Sequence, residues 1–436
     1  MSQPGNESNE RADNFEHHPL ADARAQIRLV RVHPYDADHP NSVLQVTIKA
    51  FDRKEAFKNY RALSYQWGDA NPEYRIEING RAFIVRKNLN EFLKHVSRKQ
   101  TEEPTNWDGW YWIDALCINQ INGEADEKTM QIDRMCETYE QAVQTIVWLG
   151  PGNVKMMRAM SYFDRVSATD VIFRSANVRN SLRNDADLFT AVDEVVSNSY
   201  FARVWIVQEI AVSEKDGRES AIDDRIRVIS GGAALPWRVF TLAVKAISWS
   251  GLKHNDAGEA LRLDDIARIR SLQFIASTYA NGTELMTLET LVSMCRGREA
   301  SKGQDYIYAL LSLAHWDVPD HRILADYNRS GCSGICSAIR HIIEVGLPDP
   351  SNHLKSRLRE KCERLVETAH HRPFDRSREM ESLRHSCSGR FYDMKDCSKD
   401  TCSGNHCNAL DICRAIATVL NELGVLINRV SSYIVE

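Results

Sequence analysis

Residues 110–150 constrain the fold more than any other stretch of this chain. "WYWIDALCI" has the apolar density of a buried strand. A loop carrying Asn122-Gly123 follows, then a segment over about 124–141 in which Ile132, Met135, Cys136, Tyr139 and Val143 recur at helical spacing. "QTIVWLG" is a second strand, stopped by "GPGN". Strand, amphipathic helix and strand within about 40 residues make a βαβ unit, whose strands, at 112–118 and 144–149, are expected to lie side by side, parallel and joined by a right-handed crossover. Such a unit implies an α/β domain with a mainly parallel, buried sheet. Ligands of such sheets sit beyond the carboxyl ends of the strands. Asp114, Asn119 and Gln120 fall at one such end, and Ser64 to Gly68 at another. Asp114 within an apolar strand needs partners, because an unpaired buried carboxylate costs several kcal/mol. Backbone or tryptophan N–H groups suit it, and Asn119 and Gln120 suit side-chain bonds to the same loop's backbone.

The flanking sequence extends the sheet. "IRLVRV", "SVLQVTIKAF" and "RALSYQW" have strand composition, and "YRIEI-NG-RAFIV" predicts a hairpin closed by Asn79-Gly80. Residues 88–99 predict a helix with Leu89, Phe92, Leu93 and Val96 on one face. The chain reads as helical from 152 to 196. Trp205 and Glu209 stand four apart in "ARVWIVQE", "RIRVIS" is a short strand, and helical pattern resumes as far as "GQDYIYALLSLA". Four regions result: a polar, disordered lead-in at 1–25, an α/β domain at 26–212, a mainly helical region at 213–350, and a cysteine-rich, weakly patterned tail at 351–436 with a final helix.

Composition excludes several function classes. A net charge of −5 gives no general attraction to nucleic acid, and no apolar run reaches the length of a membrane span. The N-terminus lacks a signal pattern, so a cytoplasmic location is expected, with the 11 cysteines reduced. Cys387, Cys397, Cys402, His406, Cys407 and Cys413 lack paired C-x-x-C spacing, so no metal site is expected. Cys117, in an apolar stretch with no histidine nearby in sequence, reads as a buried thiol rather than a nucleophile. Trp112 and Trp148 read as core, as does Trp67, with base stacking as its alternative. Neither a dinucleotide-binding glycine fingerprint nor a phosphate-binding P-loop is present.

Three blocks, "YRALSYQWGD" (60–69), "WIDALCINQINGEADEKTMQIDRMCETYEQAVQTIVWLG" (112–150) and "ARVWIVQE" (202–209), together resemble the signature blocks of the fungal heterokaryon incompatibility (HET) domain. Ile206 and Gly123-Glu124 depart slightly from that pattern. The resemblance implies a cell-death or non-self-recognition module. HET domains are similar to TIR domains, which have a flavodoxin-like α/β fold and some of which cleave NAD. Carried over, Glu209 would be the catalytic carboxylate, stabilising an oxocarbenium-like state, with Trp205 beside it. Ser64, Trp67, Gly68, Asp114, Asn119 and Gln120 would contact the ligand. NAD would then be a substrate, with no cofactor required. The other reading is a non-catalytic module that associates with itself or with another incompatibility or signalling protein; an accessory role is a third. The enzymatic reading requires the three blocks to converge on one cleft, with Glu209 not consumed by Arg203.

Overall fold

A computed structural model describes residues 14–34, 43–120, 125–167, 171–214, 225–282, 286–295, 297–302 and 304–316, together with 323 and 325. The expected tail and final helix lie outside the described residues, as does most of the lead-in. The chain divides into two compact units, Met1–Phe201 with Val212–Gln273, and Ala202–Ala211 with Phe274–Glu436.

The first unit holds a nine-stranded sheet. Its strands are β1 (Gln26–Val32), β2 (Gln45–Asp52), β3 (Tyr60–Tyr65), β4 (Glu73–Ile78), β5 (Arg81–Arg86), β6 (Trp110–Trp112), β7 (Gln144–Trp148), β8 (Ile226–Ser230) and β9 (Ala233–Pro236). Their spatial order is β5-β4-β2-β1-β6-β3-β7-β8-β9. The run β6-β3-β7-β8 is parallel. Antiparallel pairs flank it, β1 with β6 and β2 on one side and β8 with β9 on the other. The expected α/β sheet flanked by helices is present, and it is mixed. Thr145 to Trp148 of β7 and Ala62 to Tyr65 of β3 are all buried, as strands covered on both faces must be.

Two details of the 110–150 unit differ from the sequence reading. Its strands are parallel in one sheet, yet β3 lies between them, so they are not neighbours. Strand β6 also ends at Trp112. Asp114 opens a single helical turn, Asp114–Cys117, rather than sitting inside a strand. A run such as Ile113–Ile118 is apolar enough for either conformation, and the carboxylate suits the first turn of a helix, where N–H groups are unpaired. The following helical segment is broken at Arg134 (φ −95°, ψ 8°) into Ala125–Asp133 and Met135–Gln141.

The predicted hairpin forms. Asn79 (φ 51°) and Gly80 (φ 76°) supply the two positive angles of a primed turn, and the Asn79 side chain bonds both backbone groups of Ile48. The predicted helix at 88–99 extends over α1 (Lys87–Glu102), with Leu89, Phe92, Leu93 and Val96 buried as expected. Three helices, α2 (Val154–Ser167), α3 (Val171–Asn184) and α4 (Ala186–Val196), account for the helical reading of 152–196. Strands β8 and β9 complete the sheet from beyond residue 212, so the α/β architecture does not stop at that boundary.

The lead-in also needs correction, because its described part is tied down. The Phe15 N–H donates to the Ala82 carbonyl at 2.8 Å, and the Leu20 N–H to Glu127 at 2.9 Å. Arg28 donates to the His18 carbonyl at 2.6 Å. Polar composition hides such a segment, since backbone groups rather than apolar side chains hold it.

His95, on α1, lies between the rings of Trp107 (5.0 Å) and Trp148 (5.2 Å), and its Nε2 is buried without a hydrogen-bond partner. Burial, then the nearby charge of Lys99, lowers its pKa to about 4. A depressed histidine favours the fold above the unfolded value of about 6.5 and loses that contribution as pH falls toward 4. Thermal midpoints measured from pH 7.5 to 4.5 will therefore decline below about 6.5, and His95→Leu will shallow that decline. An unaltered slope in the variant would contradict this role for His95.

Candidate functional site

The carboxyl ends of β3 and β6 meet, and the side chains that join them come from the expected blocks. Trp67 Nε1 donates to Asp114 Oδ2 at 2.8 Å, while Asp114 Oδ1 accepts the Ala115 N–H at 2.7 Å. Gln120 Nε2 reaches the Asp114 carbonyl at 3.4 Å. Asp114 is half-buried. It is an anchor that ties the two strand-end loops together, through the tryptophan and backbone N–H groups that its position called for.

A second layer supports the first. Asn88, at the start of α1, donates to the Gln66 carbonyl at 2.6 Å and accepts Trp148 Nε1 at 3.0 Å. One amide thus links the ends of β3 and β7. Gln66 also accepts a short bond from Ser199. Arg86 donates to the Gly68 carbonyl at 2.7 Å, and its guanidinium lies 5.4 Å from the centre of the Trp67 ring. One face of that indole is therefore already covered. Gly68 has φ 72°, which lets the chain turn sharply after the strand.

Several expected ligand contacts are placed differently. Ser64 is fully buried, with its hydroxyl 2.7 Å from that of Tyr200, so it joins core elements instead of facing a ligand. Asn119 is also buried. Trp112 and Trp148 are core residues at 1% exposure. Cys117 is buried, accepts the Ile113 N–H at 3.3 Å, and has its thiol pushed up to about 12 by burial; it is not a thiolate nucleophile. Among the described residues no cluster of histidine, cysteine or carboxylate side chains suits a metal ion. The tail series from Cys387 to Cys413 lies outside them. Asn88, Arg86 and Tyr200 were missed from sequence, since single polar residues on a helix or loop carry no periodic signal.

Trp205 and Glu209 belong to the second unit, whereas Ser64–Gly68 and Asp114–Gln120 belong to the first. The Glu209 N–H donates to the Trp205 carbonyl at 3.3 Å, so the four-residue spacing is one turn at the start of the helix Ile206–Glu214. Residues 202–204 are pinned by Glu299, which bonds Ala202 at 2.6 Å and Val204 at 2.9 Å. The Glu209 carboxylate is 3% exposed and lies 3.8 Å from the Arg203 guanidinium. The pairing that the enzymatic reading had to avoid is present.

Asp114→Asn keeps shape but offers one acceptor where two N–H donors converge. The amide NH₂ then faces either Trp67 or Ala115, and a donor left unsatisfied costs about 1–3 kcal/mol. The variant will melt at a lower temperature and Trp67 emission will shift toward that of an exposed indole. An unchanged melting curve would remove Asp114 from its anchoring role.

The same segment carries the similarity to known proteins. Residues 60–209, about a third of the chain, match the family model described as "Heterokaryon incompatibility protein (HET)". The chain is also similar to "Heterokaryon incompatibility protein 6, OR allele" of Neurospora crassa, with 34% identity over 147 residues. That alignment takes in 30% of this chain and only 20% of the relative's length. No solved structure matches the chain significantly.

Proposed function

We propose that this chain is a fungal incompatibility-type protein, in which the HET-like segment triggers growth arrest or cell death on non-self recognition by associating with a second copy or with another signalling protein in the cytoplasm. The match over 60–209 carries this reading, because its bounds run from the first residue of β3 to Glu209 and so enclose the whole strand-end assembly. The burial of Glu209 against Arg203 favours association over chemistry. A carboxylate that steadies an oxocarbenium-like sugar must reach it, and this one is buried with a guanidinium 3.8 Å away. No described helix is long and apolar enough to cross a membrane.

The competing reading keeps the TIR-like NAD cleavage, with Glu209 catalytic and NAD as substrate. Induced expression in a filamentous fungus distinguishes the two, with and without a fused dimerising tag. Growth arrest should appear, be stronger with the tag, and persist in Glu209→Gln. Unaffected growth in both forms would overturn the incompatibility reading, and arrest lost only in a well-folded Glu209→Gln would restore the enzymatic one.

A further inference from the structure

Residues 14–20 run as an extended strap that touches three elements of the first unit. Asn14 forms a parallel bridge with Ala82 at the outer edge of β5, and the Phe15 N–H bonds the Ala82 carbonyl at 2.8 Å. The Phe15 ring meets Phe83 edge-on at 6.0 Å and His17 at 5.1 Å. Further along, Arg28 of β1 grips the His18 carbonyl at 2.6 Å, and Glu127 of the helix Ala125–Asp133 accepts the Leu20 N–H at 2.9 Å.

The centre of this strap is a histidine in an unusual position. His17 is half-buried, and its Nδ1 is buried with no hydrogen-bond partner. The charges that act on it are those of the Arg28 guanidinium on β1 and the Glu127 carboxylate on the helix. Those two are locked to each other at 2.6 Å, and Glu127 spends its second oxygen on Arg28 and Leu20. On the strap itself the neighbouring titratable groups are Glu16 and His18, and Glu16 and His18 are exposed. A proton on His17 thus enters a half-buried site beside a guanidinium whose carboxylate is already committed.

We propose that residues 14–20 form an acid-released clasp, closed while His17 is neutral, whose opening frees the outer edge of β5. Burial, then the charge of Arg28, lowers the His17 pKa to about 4, with Glu127 opposing. The sign follows. The docked strap holds a histidine depressed below its free value of about 6.5, so docking is full above that value and weakens as pH falls toward 4. Between pH 7.5 and 5 the docking equilibrium drops roughly ten- to thirty-fold. An edge strand with open N–H and C=O groups is a ready surface for pairing with another chain, so its cover is a natural control point.

Hydrogen exchange of the full chain, read by mass spectrometry on peptides spanning 14–21, tests this. Protection, corrected for the intrinsic pH dependence of exchange, should be present at pH 7.5 and fall at least tenfold at pH 5. Peptides from β7 should stay protected over the same range, which separates clasp opening from unfolding. His17→Phe keeps an aromatic ring against Phe15 and removes the titration, so its protection should no longer depend on pH. Protection in the wild type that is absent at pH 7.5, or equal at both pH values, overturns the proposal. So does an equal loss in His17→Phe.

Discussion

Replacing Glu127 with alanine will cost the first unit about 3–5 kcal/mol, the loss that follows when one partner of a buried ion pair is removed. Arg28 and Glu127 are 5% and 7% exposed and 2.6 Å apart, with a second contact at 3.0 Å. Burial alone would push the carboxyl up, but the bonds from Arg28 and Leu20, with the charge of Arg28, hold it below the usual carboxylate range. Without the carboxylate, Arg28 keeps, among the described residues, the carbonyls of His18 (2.6 Å) and Cys117 (3.3 Å), neither of which carries a charge to balance it. The thermal midpoint should fall by on the order of 10 °C. The double change Arg28→Met with Glu127→Met should recover most of that, because removing both charges removes the desolvation cost with the attraction. If the double variant is as unstable as Glu127→Ala, packing rather than charge explains the loss.

Phe92→Ala should be comparably damaging. Phe92 is fully buried on α1 and meets Tyr111 of β6 at 6.2 Å and Trp148 of β7 at 5.5 Å, both edge-on. Its ring therefore packs against strands on both sides of β3. Truncation removes the transfer free energy of the ring and leaves a cavity, about 3–5 kcal/mol together. Phe92→Leu should cost about 1–2 kcal/mol, since most of the volume stays. Because Trp148 also donates to Asn88, slack at this contact should reach the Gln66 carbonyl and the strand-end loops. Urea midpoints followed by tryptophan emission measure both effects. A loss under about 1 kcal/mol for Phe92→Ala would contradict the packing described.

Much of the sheet was legible because its residues report their own environment. β1, β2, β3, β7 and β8 have β-branched or apolar cores, and Asn79-Gly80 announces its turn. What failed has physical reasons. The stretch Ile113–Ile118 is apolar at every position but Asp114, and periodicity does not separate a strand from a buried helical turn over so few residues. The insertion of β3 between β6 and β7 is a matter of strand order, which no local pattern encodes. The strap at 14–20 looks disordered by composition because backbone bonds and the buried Arg28–Glu127 pair hold it. At the site, Asp114 has the tryptophan and backbone N–H partners that a carboxylate among apolar residues requires. Ser64 was misread because a serine at a strand end looks the same whether it faces a ligand or, as here, Tyr200.

In the proposed association of the HET-like segment, Glu209 serves packing and carries no chemistry. The most direct test is nicotinamide release from NAD by the purified full chain, alone and clustered through a fused dimerising tag. Release no faster than from buffer is expected in either state, with growth arrest in the fungus preserved in Glu209→Gln. Release that rises on clustering and disappears in a Glu209→Gln protein of unchanged thermal midpoint would contradict it.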